Sequence, residues 1–242
     1  MRYAIIAGGE GSRLAKEGVK EPKPLVRIGG ERLIDRLVRV FEDNGAESIV
    51  VAYRDSMFSV AEHLSYLQGR AYGNNGAPVL AIGVETPSSM HSLNCIIGRL
   101  DAGPFCLTTV DTVFAEDAFK RYISAFTASL DGGEADGMMA VTSYIDDEKP
   151  LYVAVDDGMN ITAFLDEDKG CRYVSAGIYG LTPRCADVLR RCIGRGESRM
   201  RNFQRALLSD GMRLKAFDIG RAFDIDHAAD IAKAERFLRD GV

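Results

Sequence analysis

The stretch RYAIIAGGEGSRL at residues 2–14 decides the fold, because a short apolar run ends there directly in a cluster of glycines. The apolar residues 2–7 have the length and composition of a buried strand. Glycines at the end of a strand let backbone N–H groups approach an anion without Cβ clashes. Arg13 adds a guanidinium that can bind phosphate oxygens. The stretch therefore predicts a buried strand that opens into an anion-binding loop.

The loop matches neither of two widespread phosphate-binding motifs. A Walker A loop requires G-x-x-x-x-G-K-[ST], and the chain contains no such string. A dinucleotide fingerprint requires G-x-G-x-x-G, but Leu14 stands at the position of the last glycine. On this stretch alone, a tight turn between a strand and a helix stays open as an alternative interpretation.

A second signal follows in EPKPLVRIGG at residues 21–30. Lys23 stands between Pro22 and Pro24, and prolines hold the backbone extended and stiff. A rigidly presented cation shortly after an anion-binding loop makes sense if both bind one polyphosphate. The alternative is a solvated surface lysine in a loop that proline stiffens.

Apolar periodicity indicates an alternation of strands and helices in the first half of the chain. The segments 8–30 and 69–78 are rich in glycine and turn residues and are predicted to be loops. Strands that alternate with helices imply a parallel sheet covered by helices on both faces. Predicted strands cover 2–7, 48–53, 79–84 and 104–110, and predicted helices begin at Glu31 and cover 56–68, 89–100 and 114–130.

The second half of the chain is richer in strands. Predicted strands cover 137–143, 151–156, 161–166, 171–181 and 213–219, and predicted helices cover 183–193, 199–209 and 227–240. Asp157-Gly158 is a typical hairpin turn between two of these strands. The sequence thus predicts an α/β fold of three layers, α/β/α, with a mixed, mostly parallel central sheet and a late antiparallel hairpin. Residues 1–242 contain no linker or repeat and are interpreted as a single domain.

Composition narrows the range of ligands. The chain has 30 basic and 35 acidic residues, a net charge of −5, which argues against a nucleic-acid partner. Residues 13–27 nevertheless contain five basic and two acidic residues, which favours a small anionic ligand. No apolar run reaches the ~20 residues of a membrane span, and the N-terminus lacks the pattern of a secretory signal. The five cysteines show no C-x-x-C spacing, so we expect reduced thiols in a cytoplasmic protein without a membrane partner.

The motifs AGGEGSRL at 7–14 and EPKPLVRIGGERLID at 21–35 together resemble the signature of the nucleotidyltransferases that activate sugar phosphates and phosphocholine-like alcohols. The resemblance is close over this N-terminal part and looser over the rest of the chain. It implies a Rossmann-like fold. It also implies transfer of a nucleotidyl group from a nucleoside triphosphate to a phosphorylated small-molecule acceptor, with release of pyrophosphate.

By this resemblance, the glycine-rich loop and Lys23 form the nucleotide site. Lys23 would bridge the α-phosphate and the acceptor phosphate, and Arg13 would hold the outer phosphates. Both are implied to be catalytic together with Asp111, because two anions must be brought together in the reaction. The implied nucleotide-binding residues are Ala7, Gly8, Gly9, Gly11, Ser12, Arg13, Lys23 and Ser89.

The resemblance also implies a Mg²⁺ ion held by carboxylates. Asp111 ends a predicted strand in TTVDTVF. Asp224 and Asp226 alternate in AFDIDHAADI, where a strand would place both on one face. Branches of the family differ in which of these two positions they use, so both stay open. Alternatively, Asp111 and Asp226 cap the helices that are predicted to follow them.

Two segments depart from the pattern for sugar substrates. The base-contacting segment reads PSSMHSL at 87–93, which is closer to cytidylyltransferases of phosphocholine-like substrates than to the usual G-T-A-x-(A/S)-L. The acceptor segment keeps Gly-Ile-Tyr but has Ser175 where an Asn often holds a sugar. These departures keep the reaction class and count against a hexose 1-phosphate as acceptor. The implied acceptor-binding residues are Asp166, Ser175, Gly177 and Tyr179.

Two other classes of function stay open on the sequence. A glycosyltransferase of similar fold would consume a nucleotide-sugar, but that class usually carries Asp-x-Asp where this chain has a single Asp111. A non-catalytic nucleotide-binding regulatory module would have no need to keep Arg13, Lys23 and Asp111 together. An arginine-rich stretch at 184–205 is interpreted as the solvated face of two helices, and a homo-oligomer stays open.

Overall fold

The computed structural model describes residues 1–74 and 76–240, with thirteen strands and eight α-helices in that part of the chain. The predicted single domain also includes Asn75, Gly241 and Val242, which lie outside the described residues. Strands and helices alternate in the first half, as predicted: β1 (Arg2–Ala7), α1 (Ser12–Lys16), β2 (Arg27–Ile28), β3 (Glu31–Arg32), α2 (Leu33–Asp43), β4 (Ser48–Arg54), α3 (Phe58–Asn74), β5 (Val79–Val84), α4 (Ser89–Ile96), β6 (Phe105–Thr109), β7 (Thr112–Phe114) and α5 (Glu116–Asp131).

The second half contains the predicted group of strands followed by helices. Its elements are β8 (Gly137–Thr142), β9 (Tyr152–Val155), β10 (Ile161–Leu165), β11 (Tyr173–Leu181), α6 (Cys185–Gly194), α7 (Met200–Ser209), β12 (Leu214–Asp218), β13 (Ala222–Asp224) and α8 (Ala228–Asp240). The predicted Asp157-Gly158 turn connects β9 and β10, which pair antiparallel. The late hairpin is therefore confirmed.

A nine-stranded mixed sheet forms the centre of the described structure. Strands β5, β4, β1 and β6 are parallel neighbours in that order. Strand β11 runs antiparallel to both β6 and β8, and β12 pairs parallel with β8. The hairpin β9–β10 joins the start of β11. The predicted mixed, mostly parallel sheet is confirmed.

Helices cover both faces of the sheet, so the predicted three-layer arrangement is confirmed as well. Tyr3 and Ile5 of β1 pack into one core with α2, α3, α5 and α8, whereas Ala4 and Ile6 pack into the other with α4, α6 and α7. Successive side chains of a strand point to opposite faces, and both faces are covered here. This is why β1 is apolar without interruption rather than alternating with polar residues.

Two predicted loops contain regular structure instead. In the segment 8–30, the short helix α1 follows the glycines, and β2 begins a small hairpin with β3. In the segment 69–78, α3 continues to Asn74, so the loop predicted for 69–74 is wrong. Asn75 lies outside the described residues. The sequence GRAYGN hides this helical extension, because two glycines and few apolar residues erase the helical period.

A small ribbon beside the main sheet was missed by the sequence patterns. Strands β7 and β13 pair antiparallel, with Thr112 opposite Asp224. The pairing brings the end of the chain next to the segment that follows β6, and so it brings Asp224 near Asp111. Each strand has three residues, which is too short for a period to be read from sequence.

The arginine-rich stretch 184–205 lies on and around α6 and α7. Six of its seven arginines form ion pairs with nearby carboxylates, in the pairs Arg184–Asp136, Arg190–Asp187, Arg191–Asp210, Arg195–Glu197, Arg201–Asp166 and Arg205–Asp166. Within residues 1–74 and 76–240, no helix combines the length and the apolar character that crossing a membrane requires.

Candidate active site

Two cavities lie at the carboxyl edge of the parallel strands, where open α/β sheets bind their ligands. The first, here called the glycine cavity, is lined by residues that include Gly8, Gly9, Lys23, Arg54, Ser89 and Asp111. The second, here called the acidic cavity, is lined by residues that include Arg13, Asp146, Asp147, Glu148, Asp224 and Asp226. Most residues predicted for a nucleotide or a metal thus line one of the two cavities, whereas Ala7, Gly11 and Ser12 line neither.

Lys23 connects the two cavities. Its side chain is 7% exposed, and its ammonium donates to Asp111 Oδ2 at 2.6 Å and to Asp226 Oδ1 at 2.7 Å. Pro22 is extended and a 3₁₀ turn begins at Lys23, so the proline-stiffened segment holds the side chain inward. A solvated surface lysine is therefore excluded.

The electrostatics of Lys23 follow from these contacts. Burial disfavours its charged form, but the carboxylates of Asp111 and Asp226 outweigh that effect and raise the pKa of Lys23 above its usual value. The ammonium therefore stays charged over the whole physiological range of pH. It is a permanent positive charge at the boundary between the glycine cavity and the acidic cavity.

The glycine-rich loop turns at Gly11. Its φ of +60° lies in the left-handed region that favours glycine, and a Cβ there would lie 3.4 Å from Cβ of Lys23. Gly9 has open space around its Cα, so its backbone is free to approach a ligand. Ser12 begins α1 directly after this turn. The loop is therefore more than a tight connection: Gly11 packs against Lys23, whereas the space around Gly9 is open to a ligand.

Arg13 spans the two walls of the acidic cavity. Its Nη1 donates to Asp226 Oδ2 at 3.0 Å, and its Nη2 lies 3.6 Å from Glu148 Oε2. Its side chain is half-exposed, and exposed ion pairs are weak. A polyanion that enters the site can therefore take this guanidinium from its present partners.

The three predicted metal ligands differ in how they are held. Asp226 is bound by Lys23 and Arg13; burial would raise its pKa, but these cations lower it below the usual value. Asp224 accepts a hydrogen bond from the Thr112 hydroxyl at 2.9 Å. Desolvation by the surrounding protein is the main effect that raises the pKa of Asp224, and the negative charge of Asp111 is the second; together they bring it to about 7.

The prediction that Asp224 and Asp226 share one strand face is wrong. Strand β13 ends at Asp224, and Asp226 lies in the turn before α8. The alternative roles as helix caps are also wrong. Ala115 precedes α5 as its cap, and the carboxylate that binds the N–H groups before α8 belongs to Asp230, which accepts from Asp226 N at 3.0 Å.

A divalent ion fits part of this arrangement. Within the described residues, no three side chains of His, Cys, Asp or Glu are grouped to hold a metal ion by themselves. Asp226 is already neutralised by two cations. Among the side chains that the structure describes, Asp111 is bound by Lys23 alone, and Asp224 lies on the segment next to it, since Ile225 N donates to Asp111 O at 3.1 Å and Asp224 pairs with Thr112. Two neighbouring carboxylates of this kind suit a hard cation that takes its remaining ligands from phosphate oxygens and water.

Of the predicted acceptor residues, Ser175 lines the acidic cavity and Asp166 does not. The Ser175 hydroxyl accepts from Gln204 Nε2 at 3.2 Å. Asp166 is bound by Arg201 at 2.6 Å and by Arg205 at 2.8 Å, and it lines neither cavity. These ion pairs connect the end of β10 to α7.

Gly177 and Tyr179 lie beneath the site. Gly177 has a φ of +73° and packs against the Thr112 side chain. Tyr179 is buried, and burial raises the pKa of its hydroxyl to about 12. The Gly-Ile-Tyr motif therefore forms the support of the site, and its side chains do not line either cavity.

Arg54 is a site residue that the sequence analysis missed. It is the last residue of β4, and it lines the glycine cavity with its Nε donating to Gly8 O at 3.3 Å and its Nη1 lying 2.9 Å from Glu10 Oε1. The signal was present, because a charged residue ends a buried strand there as Asp111 does after β6. The run Asp146–Glu148 was missed too, and it lines the acidic cavity.

The fold and these two cavities define a Rossmann-like α/β domain with a polar ligand site at the carboxyl edge of its sheet. The chain belongs to the MobA-like NTP transferase family, whose domain profile matches residues 3–210. The resemblance seen in the N-terminal motifs is thereby confirmed, together with its extension over most of the chain.

Solved structures and curated relatives agree with this assignment. The inositol-1-phosphate CTP transferase from T. maritima superposes with a TM-score of 0.78 at 22% identity, covering 98% of both chains. A putative glucose-1-phosphate thymidylyltransferase from Bacillus anthracis gives 0.83 at 19% identity over 99% of this chain and 96% of that chain. These likenesses support the fold.

Two curated relatives share sequence with the chain. The bifunctional IPC transferase and DIPP synthase of Rubrobacter xylanophilus is 24% identical over 97% of this chain and 51% of its own length. The glucose-1-phosphate cytidylyltransferase of Salmonella typhimurium is 28% identical over 27% of this chain and 25% of its own length. The chain thus spans a quarter to a half of the length of these relatives.

Proposed function

We propose that this protein transfers a nucleoside monophosphate from a nucleoside triphosphate to a phosphorylated small-molecule acceptor and releases pyrophosphate. The observation that carries the proposal is the position of Lys23, which lines the glycine cavity and whose ammonium binds Asp226, a residue that lines the acidic cavity. From that position it can contact the α-phosphate on one side and the acceptor phosphate on the other. Such a contact reduces the repulsion between two anions, which is the main barrier in this chemistry.

The glycine cavity is the proposed site of the donor nucleotide. The backbone from Ala7 to Gly9 would contact the base and the α-phosphate, in the cavity that Gly8 and Gly9 line together with Ser89 and Arg54. The outer phosphates would draw Arg13 away from Asp226, with support from Gly11 and Ser12. CTP is the donor to test first, because two similar proteins are named as a CTP transferase and a cytidylyltransferase.

The reaction needs no strong base, because the attacking group is already an anion. A phosphate oxygen of the acceptor forms a bond to the α-phosphorus, and the bond from that phosphorus to the bridging oxygen of the β-phosphate breaks. Pyrophosphate leaves with the bonding electron pair. Lys23 remains charged throughout, and Asp226 holds the Lys23 and Arg13 side chains at the junction until phosphates replace it.

Members of this family generally use a divalent metal. We propose Mg²⁺ here, with Asp111 and Asp224 as the carboxylates that hold it, since Asp226 is neutralised by Lys23 and Arg13. The bound ion would neutralise charge on the triphosphate. The acidic cavity with Ser175 is the proposed acceptor site. Sugar phosphates, inositol 1-phosphate and phosphocholine-like molecules are the acceptor classes to test.

The test is pyrophosphate release with Mg²⁺, measured for each nucleoside triphosphate against glucose 1-phosphate, inositol 1-phosphate and phosphocholine. Turnover of one pair supports the proposal. Consumption of a nucleotide-sugar without pyrophosphate release would instead identify a glycosyltransferase. Nucleotide binding by calorimetry without turnover of any acceptor would identify a non-catalytic binding module.

A further inference from the structure

Two threonine hydroxyls connect the end of β6 with Asp224. The Thr109 and Thr112 Oγ1 atoms lie 2.7 Å apart, and the Thr112 hydroxyl donates to Asp224 Oδ1 at 2.9 Å. A hydroxyl has one proton, so Thr112 must accept from Thr109 when it donates to the carboxylate. The hydrogen bonds therefore run in one direction, from Thr109 through Thr112 to Asp224.

The position of the Thr112 hydroxyl is closely constrained. Thr112 is 2% exposed, and the pairing of β7 with β13 places it directly opposite Asp224. Gly177 packs against it, and a Cβ at that position would approach Thr112 Oγ1 to 2.9 Å, closer than real Cβ atoms come. Glycine at 177 thus leaves the space that this hydroxyl occupies.

Asp224 needs such a constraint, and Asp226 does not. Two cations hold Asp226 in place, whereas no basic side chain in the part of the chain that the structure describes forms an ion pair with Asp224. The backbone places Asp224 beside Asp111, because Ile225 N donates to Asp111 O at 3.1 Å and Asp224 pairs with Thr112. Like charges on neighbouring segments repel, so a fixed position of the Asp224 side chain requires another group. The Thr112 hydroxyl is the group that holds Asp224 here.

We propose that Thr112 is a positioning residue that holds Asp224 beside Asp111, so that the two carboxylates can accept a divalent cation together, while Thr109 orients the Thr112 hydroxyl. This role rests on the proposed function, because that function supplies the need for the cation. Groups that hydrogen-bond to metal ligands commonly change metal affinity by 10–100-fold when they are removed. Thr112 hydrogen-bonds to a proposed metal ligand in this way and lines neither cavity.

The test measures CTP binding by calorimetry in Mg²⁺ and in EDTA, without acceptor. Its readout is the factor by which Mg²⁺ strengthens CTP binding, which does not require turnover. Thr112→Val replaces the hydroxyl by a methyl group of similar size. We expect the factor to fall about tenfold, while affinity in EDTA is unchanged. Thr112→Ser keeps the hydroxyl and should retain the wild-type factor.

Thr108→Val is the matched control. Thr108 is also buried and lies on β6 next to Thr109, but its hydroxyl donates to the backbone carbonyl of Thr109 and not to Thr112 or Asp224. The control should keep the wild-type factor. If Thr112→Val does not give a cooperative thermal transition, Thr109→Val replaces it, because it removes the donor to Thr112. Thr109 also lines the glycine cavity, so the affinity for CTP in EDTA is measured for this variant as its own baseline. A reduced Mg²⁺ factor is expected there as well.

The outcomes separate the two proposals. A wild-type factor in Thr112→Val, or in Thr109→Val when that variant is used, refutes the positioning role and leaves the proposed function intact. An equal reduction in Thr108→Val also refutes it, since the effect would then come from the loss of any buried threonine hydroxyl in this part of the fold. If Mg²⁺ does not strengthen CTP binding to the wild-type protein and no triphosphate is turned over, the proposed function fails and the positioning role fails with it.

Discussion

Two ion clusters, each centred on a buried charge, lie at opposite edges of the sheet. One has a lysine between two carboxylates, and the other has a carboxylate between the guanidiniums of Arg184 and Arg213. At the carboxyl edge, Lys23 is bound by Asp111, which follows β6, and by Asp226. At the amino edge, Asp136 immediately precedes β8, which runs in the same direction as β6, and is bound by Arg184 at 2.6 Å and by the Arg213 backbone at 2.9 Å.

The difference between the clusters lies in their surroundings. The Asp136 cluster lines neither cavity, and both carboxylate oxygens have partners. The Lys23 cluster lines both cavities and has the extra carboxylate Asp224 beside it. Burial and pairing of a charge are therefore common to a structural cluster and a candidate catalytic one. The candidate catalytic cluster around Lys23 differs in that it lines an open cavity and has the carboxylate of Asp224 beside it.

The largest expected effect is that of Lys23→Ala on catalysis. Removing the ammonium at the junction leaves two phosphates to approach without a fixed positive charge, so we expect kcat to fall by about 1,000-fold. The fold should persist, because water can reach the carboxylates that remain. Pyrophosphate release gives the rate, and circular dichroism gives the thermal transition. Wild-type activity in this variant would place the Lys23 cluster in the structural class.

Asp136→Asn tests the other cluster and should have the opposite profile. It removes a charge that two arginines share, and we expect about 2 kcal/mol less free energy of unfolding, because the guanidiniums are mostly exposed and regain water. Urea denaturation measures this loss. The value of kcat at 25 °C should not change; a large fall in kcat without destabilisation would contradict the comparison.

Arg54→Gln separates binding from chemistry within the carboxyl edge. Arg54 lines the glycine cavity, and its ion pairs in the described structure are with Glu10 and Glu85 rather than with Asp111 or Asp226. We therefore expect KM for the triphosphate to rise about tenfold with little change in kcat, the pattern of a lost binding contact. Steady-state kinetics at saturating acceptor measures both constants. If kcat falls and KM does not, the residue acts on the chemical step instead.

The smallest effect concerns the acid stability of the Asp136 cluster. Burial raises the pKa of Asp136, but the Arg213 backbone and the Arg184 charge outweigh it and hold the pKa below its usual value. A carboxyl with a lowered folded-state pKa contributes its full stability above its unfolded pKa, about 4, and loses it as pH falls through the folded value. The stability difference between wild type and Asp136→Asn should be constant from pH 7 to 5 and shrink below that. A difference that stays constant to pH 3 would exclude this titration.

The N-terminal part of the site could be predicted from sequence because its geometry is local. The left-handed turn at Gly11 requires glycine, and the prolines around Lys23 restrict its backbone, so both features can be recognised within a few consecutive residues. The alternation of apolar segments similarly predicted the layered sheet. Segments without a clear period, such as the end of α3 and the ribbon of β7 and β13, could not be predicted in this way.

The sequence by itself determined the fold class, through its apolar periodicity, as well as the glycine turn and the stiff backbone around Lys23, since each of these patterns lies within a few consecutive residues. Only the tertiary structure decided which carboxylates the lysine meets and how each is held. Lys23 binds Asp226 across 203 positions of sequence, and Thr112 binds Asp224 across 112. Contacts of that range depend on strand pairing and on the direction of each strand, and no local pattern of residues encodes them.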